Sequence, residues 1–433
     1  MQKIKLIIST VTFAMIALAA MSTAYAAPTT LRVSTSSSGR EANDGSGASS
    51  ISANGLVVTF ESYASNLVQG DRNGGSDVFV RNLSTGQIKR ISNNATEAAR
   101  GEGIISTPSI SATGRYIAYS SVAREVADDR NGLNDIYVYD QQTAKRKRVS
   151  LSTIGVASND HCFYPKISAN GRYVVFESYA SNLIPNDTNG VKDVFLRDLV
   201  TNVTKRLSQG INGAEANADS SAASISADGR FVAFQSDAND IVVGDTNSFP
   251  EVFVHDVVNG VAERIAVSNA GLDVNGVSLS PSISGDGRYV AFMSNATNLV
   301  TGDTNGSFDI FAYDRLNRVT KRVSVNSEGF ESGIFSGSFS PNISADGRYI
   351  GFVSTADNLV SGDTNGVFDA FVHDQQTGMT QRLSVNNDGG EGDFDSLAPS
   401  LSADGHSVAY TSAATNLVVG DLNNTNDVFL RKR

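Results

Sequence analysis

Residues 281–324, PSISGDGRYVAFMSNATNLVTGDTNGSFDIFAYDRLNRVTKRVS, are one copy of a pattern that recurs along the 433-residue chain. A glycine that closes a short polar turn marks each copy, at Gly55, Gly114, Gly171, Gly229, Gly287, Gly347 and Gly405. By subtraction, these glycines lie 57 to 60 residues apart. A fixed period of this length is typical of repeat architectures. Seven copies therefore account for most of the chain.

Each copy contains four short β-rich segments separated by polar turns. In the quoted copy they are residues 282–284, 288–293, 309–313 and 319–324, called strands a, b, c and d below. Strands b and c are apolar on both faces and carry an aromatic residue at a fixed position in every copy, whereas basic residues alternate along strand d. Central strands of this kind fit a blade that packs between two others. The sequence predicts an all-β, seven-bladed β-propeller of four-stranded antiparallel blades.

The two ends of the repeat array predict how the ring closes. Strand d ends in Arg, an aliphatic residue and usually Ser, but the seventh copy stops after strand c at Arg433. The matching segment, residues 31–34 (LRVS), precedes the first strand a. We expect it to complete the last blade through backbone hydrogen bonds, which leaves no unpaired strand edge. Residues 27–433 are then one propeller domain, with repeats that begin near residues 49, 108, 165, 223, 281, 341 and 399.

Residues 1–26 have the features of a secretory signal peptide. Lys3 and Lys5 precede an apolar run at residues 6–20, and small residues flank position 26. Cleavage there changes the formal net charge from −11 to −13. Such an acidic surface is a poor partner for nucleic acids, which are bound by clustered Lys and Arg. We expect a periplasmic or secreted monomer without an integral membrane segment, in which the single cysteine, Cys162, is a small buried residue.

Two motifs of the repeat resemble a known family. The a–b hairpin reads S-A-D-G-R-Y-hydrophobic-A-F and strand c reads D-hydrophobic-F-hydrophobic-x-D, a combination that resembles the WD40-like PD40 repeats of TolB-type β-propellers. The resemblance covers essentially the whole chain after residue 26. This chain has seven copies where that family usually has six, no extra N-terminal domain before the first copy, and no Trp. The resemblance therefore implies the fold, while function depends on the site.

The loops between strands b and c carry the one repeated motif with metal-binding chemistry, Asp-x-Asn-x-x-x-Asp. Oxygen ligands at alternate positions beside a turn glycine suit a hard cation such as Ca²⁺. We predict Ca²⁺ ligands at Asp71, Asn73, Asp77, Asp129, Asn131, Asp135, Asp187, Asn189, Asp193, Asp303, Asn305, Asp309, Asp363, Asn365 and Asp369. The fourth and seventh copies lack the turn glycine and are the weakest sites. Asp and Asn also cap turns without any metal, and the sequence leaves both interpretations open.

Catalytic signatures of known propeller enzymes are absent from the sequence. It has no G-x-S-x-G nucleophile elbow, and its four His residues are scattered, whereas propellers resembling oligogalacturonate lyase gather several His around a metal. We therefore expect no catalytic residues and no cofactor other than Ca²⁺. The hypothesis that follows is a non-enzymatic interaction or scaffold module. Its protein or carbohydrate partner would bind the face formed by the long b–c and d–a loops.

The alternative is a carbohydrate-active propeller enzyme, either a glycoside hydrolase or a polysaccharide lyase. Its basis is the acidic rim of the long-loop face, where two carboxylates would have to be paired for glycoside hydrolysis. The irregular acids of the d–a loops are Glu41, Glu97, Glu215, Glu331 and Glu391. Nothing in the sequence selects two of them.

Overall fold

The computed structural model describes residues 27–92, 107–334 and 336–433. In these ranges the chain forms seven four-stranded antiparallel sheets. Each sheet is one blade, and the innermost strands of successive blades contact one another around a closed ring. The seven-bladed propeller predicted from the repeat is confirmed.

The strands follow the predicted order a, b, c, d within each blade. Blade 1 consists of β2 (Ser46–Ile51), β3 (Val57–Ser62), β4 (Asp77–Asn82) and β5 (Ile88–Arg90). Blade 2 has β6 (Ser109–Ile110), β7 (Tyr116–Ser121), β8 (Asp135–Asp140) and β9 (Lys145–Arg148), and blade 3 has β10 (Cys162–Ile167), β11 (Tyr173–Ser178), β12 (Asp193–Asp198) and β13 (Thr204–Arg206). Blade 4 has β14 (Ser220–Ile225), β15 (Phe231–Ser236), β16 (Glu251–Asp256) and β17 (Val261–Arg264).

The last three blades repeat this arrangement. Blade 5 has β18 (Ser278–Ile283), β19 (Tyr289–Ser294), β20 (Asp309–Asp314) and β21 (Val319–Arg322), and blade 6 has β22 (Ser338–Ile343), β23 (Tyr349–Ser354), β24 (Asp369–Asp374) and β25 (Thr380–Arg382). Blade 7 has β26 (Ser396–Leu401), β27 (Ser407–Ser412), β28 (Asp427–Lys432) and, as its fourth strand, β1 (Thr29–Arg32). No helix in the described ranges has the length and hydropathy needed to cross a membrane.

Blade 7 closes the ring with the N-terminal strand, as predicted. Strand β1 pairs antiparallel with β28, with Arg32 opposite Phe429 and Thr29 opposite Lys432. The segment after β1 continues the contact, because the backbone N–H of Val33 donates to the carbonyl of Val428 at 2.7 Å. Residues near both ends of the described chain therefore share one sheet.

Aromatic residues of strands b and c fill the space between blades, which explains their fixed positions. In blade 5, the rings of Phe292 and Phe311 stack with centroids 5.9 Å apart, and both side chains are fully buried. They pack in one cluster with Val252 and Val254 of blade 4. Burying this apolar area between successive blades is the main favourable contribution to the stability of the ring.

Strand a is longer than predicted, because it begins on the far side of a β-bulge. The prediction gave residues 282–284, whereas β18 starts at Ser278 and shifts register between Leu279 and Ser282. Ser280, inside the bulge, has a left-handed φ of 54°. A bulge re-aims the side chains of its strand. The bulged residues therefore belong to the wall of the central channel and not to the d–a loop.

A closed circle of backbone hydrogen bonds surrounds the channel at the end of the a–b turns. In the turn of every blade, one residue donates its N–H to the carbonyl of its counterpart in the next blade, at 2.9–3.1 Å. The members of this girdle, as we call it, are Ala53, Ala112, Ala169, Ala227, Gly285, Ala345 and Ala403. If neighbouring members are about 4.8 Å apart, as hydrogen-bonded strands are, the circle has a radius of about 5–6 Å. Methyl-sized side chains leave little opening there, so a ligand would enter from the long-loop end.

The N-terminal strand gives the first testable prediction. Removing residues 27–34 from a protein that begins at residue 27 should lower its melting temperature by about 10 °C. The deletion removes the pairing of β1 and leaves β28 with an unpaired edge. Thermal unfolding followed by circular dichroism measures the effect, and a variant that lacks only residues 27–28 is the control. An unchanged melting temperature in the longer deletion would show that β1 does not hold the ring closed.

Candidate functional site

Each Asp-x-Asn-x-x-x-Asp loop folds against an arginine of strand d. In blade 5, Nη1 of Arg322 lies 3.3 Å from Asp303, 3.4 Å from Asp309 and 2.5 Å from Glu331 of the following d–a loop. One guanidinium thus contacts three carboxylates from three segments of the chain. We call this group the blade 5 acidic cluster.

The asparagine of the motif caps the turn. Oδ1 of Asn305 accepts the N–H of Ser307 at 2.9 Å, and its Nδ2 donates to Asp309 at 2.9 Å. Ser324, the last residue of the strand-d signature, donates its hydroxyl to Asp309 at 2.5 Å and accepts the N–H of Ile310. The recurring spacing of the motif along the chain thus has a structural cause in hydrogen bonding alone.

The other blades repeat the acidic cluster at the remaining predicted ligands. The contacts join Arg90 to Asp71 and Asp77, Arg148 to Asp129 and Asp135, Arg206 to Asp187 and Asp193, and Arg382 to Asp363 and Asp369. The asparagines donate to the second acid in the pairs Asn73–Asp77, Asn131–Asp135, Asn189–Asp193 and Asn365–Asp369. Blades 4 and 7, predicted to be the weakest sites, form it too, with Arg264 on Asp245 and Glu251 and with Arg32 on Asp421 and Asp427.

The blade 5 acidic cluster carries more negative than positive charge in a largely buried place. Burial and the neighbouring charge of Asp309 raise the pKa of Asp303 to about 6, although Arg322 opposes the rise. Asp303, Asp309 and Glu331 have ligand atoms within 4.8 Å of one another, so this cluster is a possible acidic metal site. Ca²⁺ binding by these loops stays a prediction. Protonation of Asp303 would reduce its repulsion with Asp309, as a bound cation would.

The charge imbalance predicts how Asp303→Asn will behave in EDTA. The folded pKa of Asp303 lies above the ordinary value of 3.8, so the folded state binds more protons between these values, and stability falls as pH rises through them. Asn imitates the protonated acid, so the variant should melt about 2–4 °C higher than the wild type near pH 7.5. The difference should vanish near pH 4.

The same pair of proteins tests the Ca²⁺ prediction. Millimolar Ca²⁺ near pH 7.5 should raise the melting temperature of the wild type more than that of Asp303→Asn if the cluster binds the ion. Mg²⁺ serves as the ion control, and Asp388→Asn, at an exposed loop position, serves as the variant control. Equal responses of both proteins to Ca²⁺ would contradict a metal site in blade 5.

The acids proposed for glycoside chemistry are distributed among these clusters. Glu331 and Glu391 each accept a hydrogen bond from a threonine of the b–c loop and contact the strand-d arginine. Glu41 and Glu215 contact Arg32 and Arg206 in the same way. Each of the four therefore belongs to a different blade, and none is paired with another. Glu97 lies outside the described residues.

The central channel presents a different set of side chains. Strand a of every blade lines a cavity of about 620 Å³, a size within the range of small-molecule sites. In six blades the two wall positions around the bulge hold small residues: Ala48 and Ser50, Thr107 and Ser109, Ala222 and Ser224, Ser280 and Ser282, Ser340 and Asn342, and Ala398 and Ser400. Blade 3 has Tyr164 and Lys166 at these positions. The sevenfold repeat is broken at one place on the wall.

Both blade 3 side chains are accessible from the channel. Tyr164 has a left-handed φ of 49°, shared with the small residues at its position in five other blades, so the bulge directs a large side chain into the cavity. Lys166 is exposed to the channel space but surrounded by its walls. This partial loss of hydration lowers the pKa of its amino group, although Glu177 opposes the shift. A lysine with a lowered pKa is a better proton acceptor near neutral pH.

Glu177 and Lys192 complete the charged wall of blade 3. Nζ of Lys192 lies 3.2 Å from Oε2 of Glu177, which is almost fully buried. The other oxygen of Glu177 accepts the N–H of Ala222 in blade 4 at 2.6 Å. Burial raises the pKa of Glu177, and Lys192 opposes the rise. Glu177 therefore fixes the position of Lys192 and ties blade 3 to blade 4.

Sequence reasoning missed Tyr164, Lys166, Glu177 and Lys192. The predicted strand a of blade 3 began near residue 165, so the bulge in front of it was assigned to a loop. An alignment of the seven copies across the bulge would have shown that only blade 3 has a bulky residue and a lysine there.

The histidines and the cysteine do not form a site in the described residues. Nδ1 of His161 accepts the N–H of Asn134 at 2.9 Å, and His255 and His373 are buried in strand c of blades 4 and 6. Cys162 is buried, and burial raises the pKa of its thiol to about 12. Its Sγ lies 3.3 Å from the hydroxyl of Ser178. It is a packing residue and not a reactive thiol.

No protein-family model matches the chain, and no curated protein matches it. Similar solved structures include oligogalacturonate lyase from Vibrio parahaemolyticus, with a TM-score of 0.56, 12% sequence identity and coverage of 93% of both chains. The β-propeller domain of the trilobed protease from Pyrococcus furiosus has a TM-score of 0.53 and 10% identity, over 89% of this chain and 95% of that one. TolB from Acinetobacter baumannii has a TM-score of 0.40 and 17% identity, over 86% and 76%. Membership in the PD40 family stays a prediction.

The prediction of a non-enzymatic interaction or scaffold module is wrong. It rested on a ring without catalytic histidines or an added catalytic domain. An oligogalacturonate lyase matches 93% of this chain over 93% of its own, so a propeller of this extent is sufficient for an enzyme. The comparison favours the carbohydrate-active alternative, and at 12% identity the chemistry has to be argued from the channel.

Proposed function

We propose that the protein is a polysaccharide lyase that cleaves an acidic sugar chain in the central channel. The observation that carries this proposal is the pair Tyr164 and Lys166 on the channel wall of blade 3, where all other blades have small residues. Functional side chains on a rigid, repeated scaffold are expected where the repeat is broken at a cavity.

The charge of the channel favours an anionic substrate. Among the acidic and basic side chains that line the cavity, two are lysines, Lys166 and Lys192, and one is an acid, Glu177. Basic groups thus outnumber carboxyl groups in this lining, in a protein with a formal net charge of −11. A lining in which lysines outnumber acids attracts a carboxylate away from the acidic outer surface and into the channel. Uronic acid residues supply such carboxylates.

The number of carboxylates favours elimination over hydrolysis. Glycoside hydrolysis in most families uses two carboxyl groups that flank the bond, and the described channel wall has one, Glu177. That carboxylate is already engaged with Lys192 and the backbone of Ala222. Elimination instead needs a base for the proton beside the sugar carboxylate, and Lys166 is available for this role.

The proposed step is a β-elimination at a uronate unit. The amino group of Lys166 removes the proton from C5, the electron pair of the C–H bond forms the C4–C5 double bond, and the C4–O bond breaks. The departing oxygen takes a proton from the hydroxyl of Tyr164, which lines the same stretch of wall. The ammonium of Lys192 stabilises the negative charge that develops on the uronate carboxylate. Water restores the protonation states after product release.

A bound manganese ion, present in one oligogalacturonate lyase structure, does not fit the residues of this channel. Within the described residues, the wall has one carboxylate and no histidine. The possible acidic metal site at Asp303, Asp309 and Glu331 lies outside the channel lining. The proposed elimination therefore uses side chains of this chain alone.

The setting of the protein is part of the proposal. Residues 1–26 would direct export as a cleaved signal peptide, and the mature propeller would act as a periplasmic or secreted monomer. The oligogalacturonates for which the similar lyase is named are the first substrates to test, because their carboxylates match the charge of the channel.

Lys166→Ser tests the proposed base with a residue that the other blades already use. Turnover of oligogalacturonate, followed by the ultraviolet absorbance of the unsaturated product, should fall by about 100-fold or more. Stability should stay the same or rise by about 1 kcal/mol. Serines at this position in other blades accept an N–H from the next blade, as Ser109 does from Ile167 at 3.1 Å, and the introduced serine would offer the same bond to Ile225.

The controls separate catalysis from folding and from net charge. Lys89→Ser removes an exposed strand-d lysine and should leave turnover unchanged. Tyr164→Ala, again a residue of other blades, should fold normally and lose most activity. If the Lys166 variant keeps full activity on every uronate polymer that the wild type cleaves, Lys166 is not the base. If the wild type cleaves none, the lyase function is wrong.

A further inference from the structure

The residue that precedes strand c differs in chemistry from blade to blade. In blade 3 it is Lys192, which lines the cavity. Its counterparts in blades 5 and 6 are Phe308 and Phe368, whereas blades 1 and 2 have Ser76 and Asn134. This repeat position is thus polar in blades 1–3 and aromatic in blades 5 and 6.

Phe339 joins the two aromatic residues into one surface. Its ring lies 5.7 Å from that of Phe308 in the preceding blade and 5.9 Å from that of Phe368, measured between centroids. All three side chains are partly exposed. Blades 1 and 4 have Gly47 and Ser221 at the position of Phe339, and blade 3 has Phe163, whose ring centroid lies 6.2 Å from that of Tyr164. We call Phe308, Phe339 and Phe368 the aromatic platform.

The platform lies across the channel from the proposed catalytic residues. Contacts between inner strands run in ring order, from β10 of blade 3 through β14 and β18 to β22 of blade 6. Blade 6 is therefore three blades from blade 3 in one direction and four in the other. Tyr164 and Lys166 line the cavity, and Phe308 and Phe368 occupy in blades 5 and 6 the repeat position that the cavity-lining Lys192 occupies in blade 3.

We propose that the aromatic platform binds a non-reacting sugar ring of the substrate, next to the unit held at Tyr164 and Lys166. This inference rests on the proposed lyase function. The apolar C–H face of a pyranose stacks on an aromatic ring, while its hydroxyls and carboxylate need polar partners. Blade 3 offers the polar partners, and the platform in blades 5 and 6 offers the aromatic surface. The cleaved bond already joins two units, the uronate and the unit on its C4 oxygen, so a further ring on the platform is a third, and the substrate is an oligosaccharide of more than two units.

The test measures binding separately from turnover. Galacturonate disaccharide and tetrasaccharide are titrated by calorimetry into Lys166→Ser, in which catalysis is removed, and into the double variant with Phe339→Ala. The second substitution should weaken tetrasaccharide binding about fivefold to tenfold and leave disaccharide binding unchanged. In the otherwise wild-type protein, Phe339→Ala should raise KM for the tetrasaccharide with little change in kcat.

Two further variants test whether weaker binding comes from the platform itself or from the loss of any phenylalanine ring. Phe308→Ser introduces the residue that blade 1 has at this position and should weaken tetrasaccharide binding in the same direction. Phe330→Ala removes an aromatic ring that is 64% exposed on a d–a loop and should change neither constant. Thermal unfolding confirms that each variant is folded.

The possible outcomes distinguish the subsite from the lyase function. If Lys166→Ser abolishes turnover but both platform variants bind the tetrasaccharide as tightly as their parent, the lyase function stands and the subsite is wrong. If the platform variants weaken binding while Lys166→Ser leaves turnover intact, the subsite stands and the catalytic assignment fails. Failure of the folded parent to bind the tetrasaccharide overturns the subsite.

Discussion

Closure of the girdle is the constraint on which the rest of the structure depends. Seven N–H groups donate to seven carbonyls around one circle, so every a–b turn must place its backbone at the same radius. A turn glycine with positive φ makes this possible, as at Gly171, where an added Cβ would lie 2.2 Å from the ring of Tyr116 in the preceding blade. The repeat is therefore a physical requirement of ring closure, and its recurrence does not by itself indicate function.

The acidic clusters show the same principle on the long-loop side. Each one ties strand c, strand d and the following d–a loop through a buried guanidinium, and removing that arginine would leave several buried carboxylates without a counter-charge, which is costly. Blade 4 shows how closely the parts depend on one another. Ala266 replaces the serine that donates to the second acid elsewhere, and Glu251 replaces that aspartate, with a pKa raised by burial to about 7. The longer acid reaches Asn247 and Arg264 without the serine.

The fold could be predicted from the sequence because its determinants are local and occur seven times. The turn glycines, the aromatic positions and the Arg-x-Ser signature each correspond to a contact now seen within or between blades. The candidate site could not be predicted in the same way. Tyr164 and Lys166 meet Glu177 and Lys192 only through a bulge and a neighbouring strand, and a search for repeated motifs passes over residues that occur once. The acids of the d–a loops were visible, but their contact with the strand-d arginine nine residues earlier forms only when the loop folds back on that strand.

A residue that departs from the repeat carries functional information, because the residues at the same position in the other blades show which side chains favour stability there. A left-handed φ at a bulky residue such as Tyr164 costs about 1–3 kcal/mol, and six blades place small residues at that position. Lys166 has no oxygen with which to accept the inter-blade N–H that Ser109, Ser224, Ser282 and Asn342 accept. Tyr164 and Lys166 thus make the protein less stable than alanine or serine at these positions would. Their position in a cavity that is also lined by Lys192 and Glu177 supplies the reason why a chain would retain them.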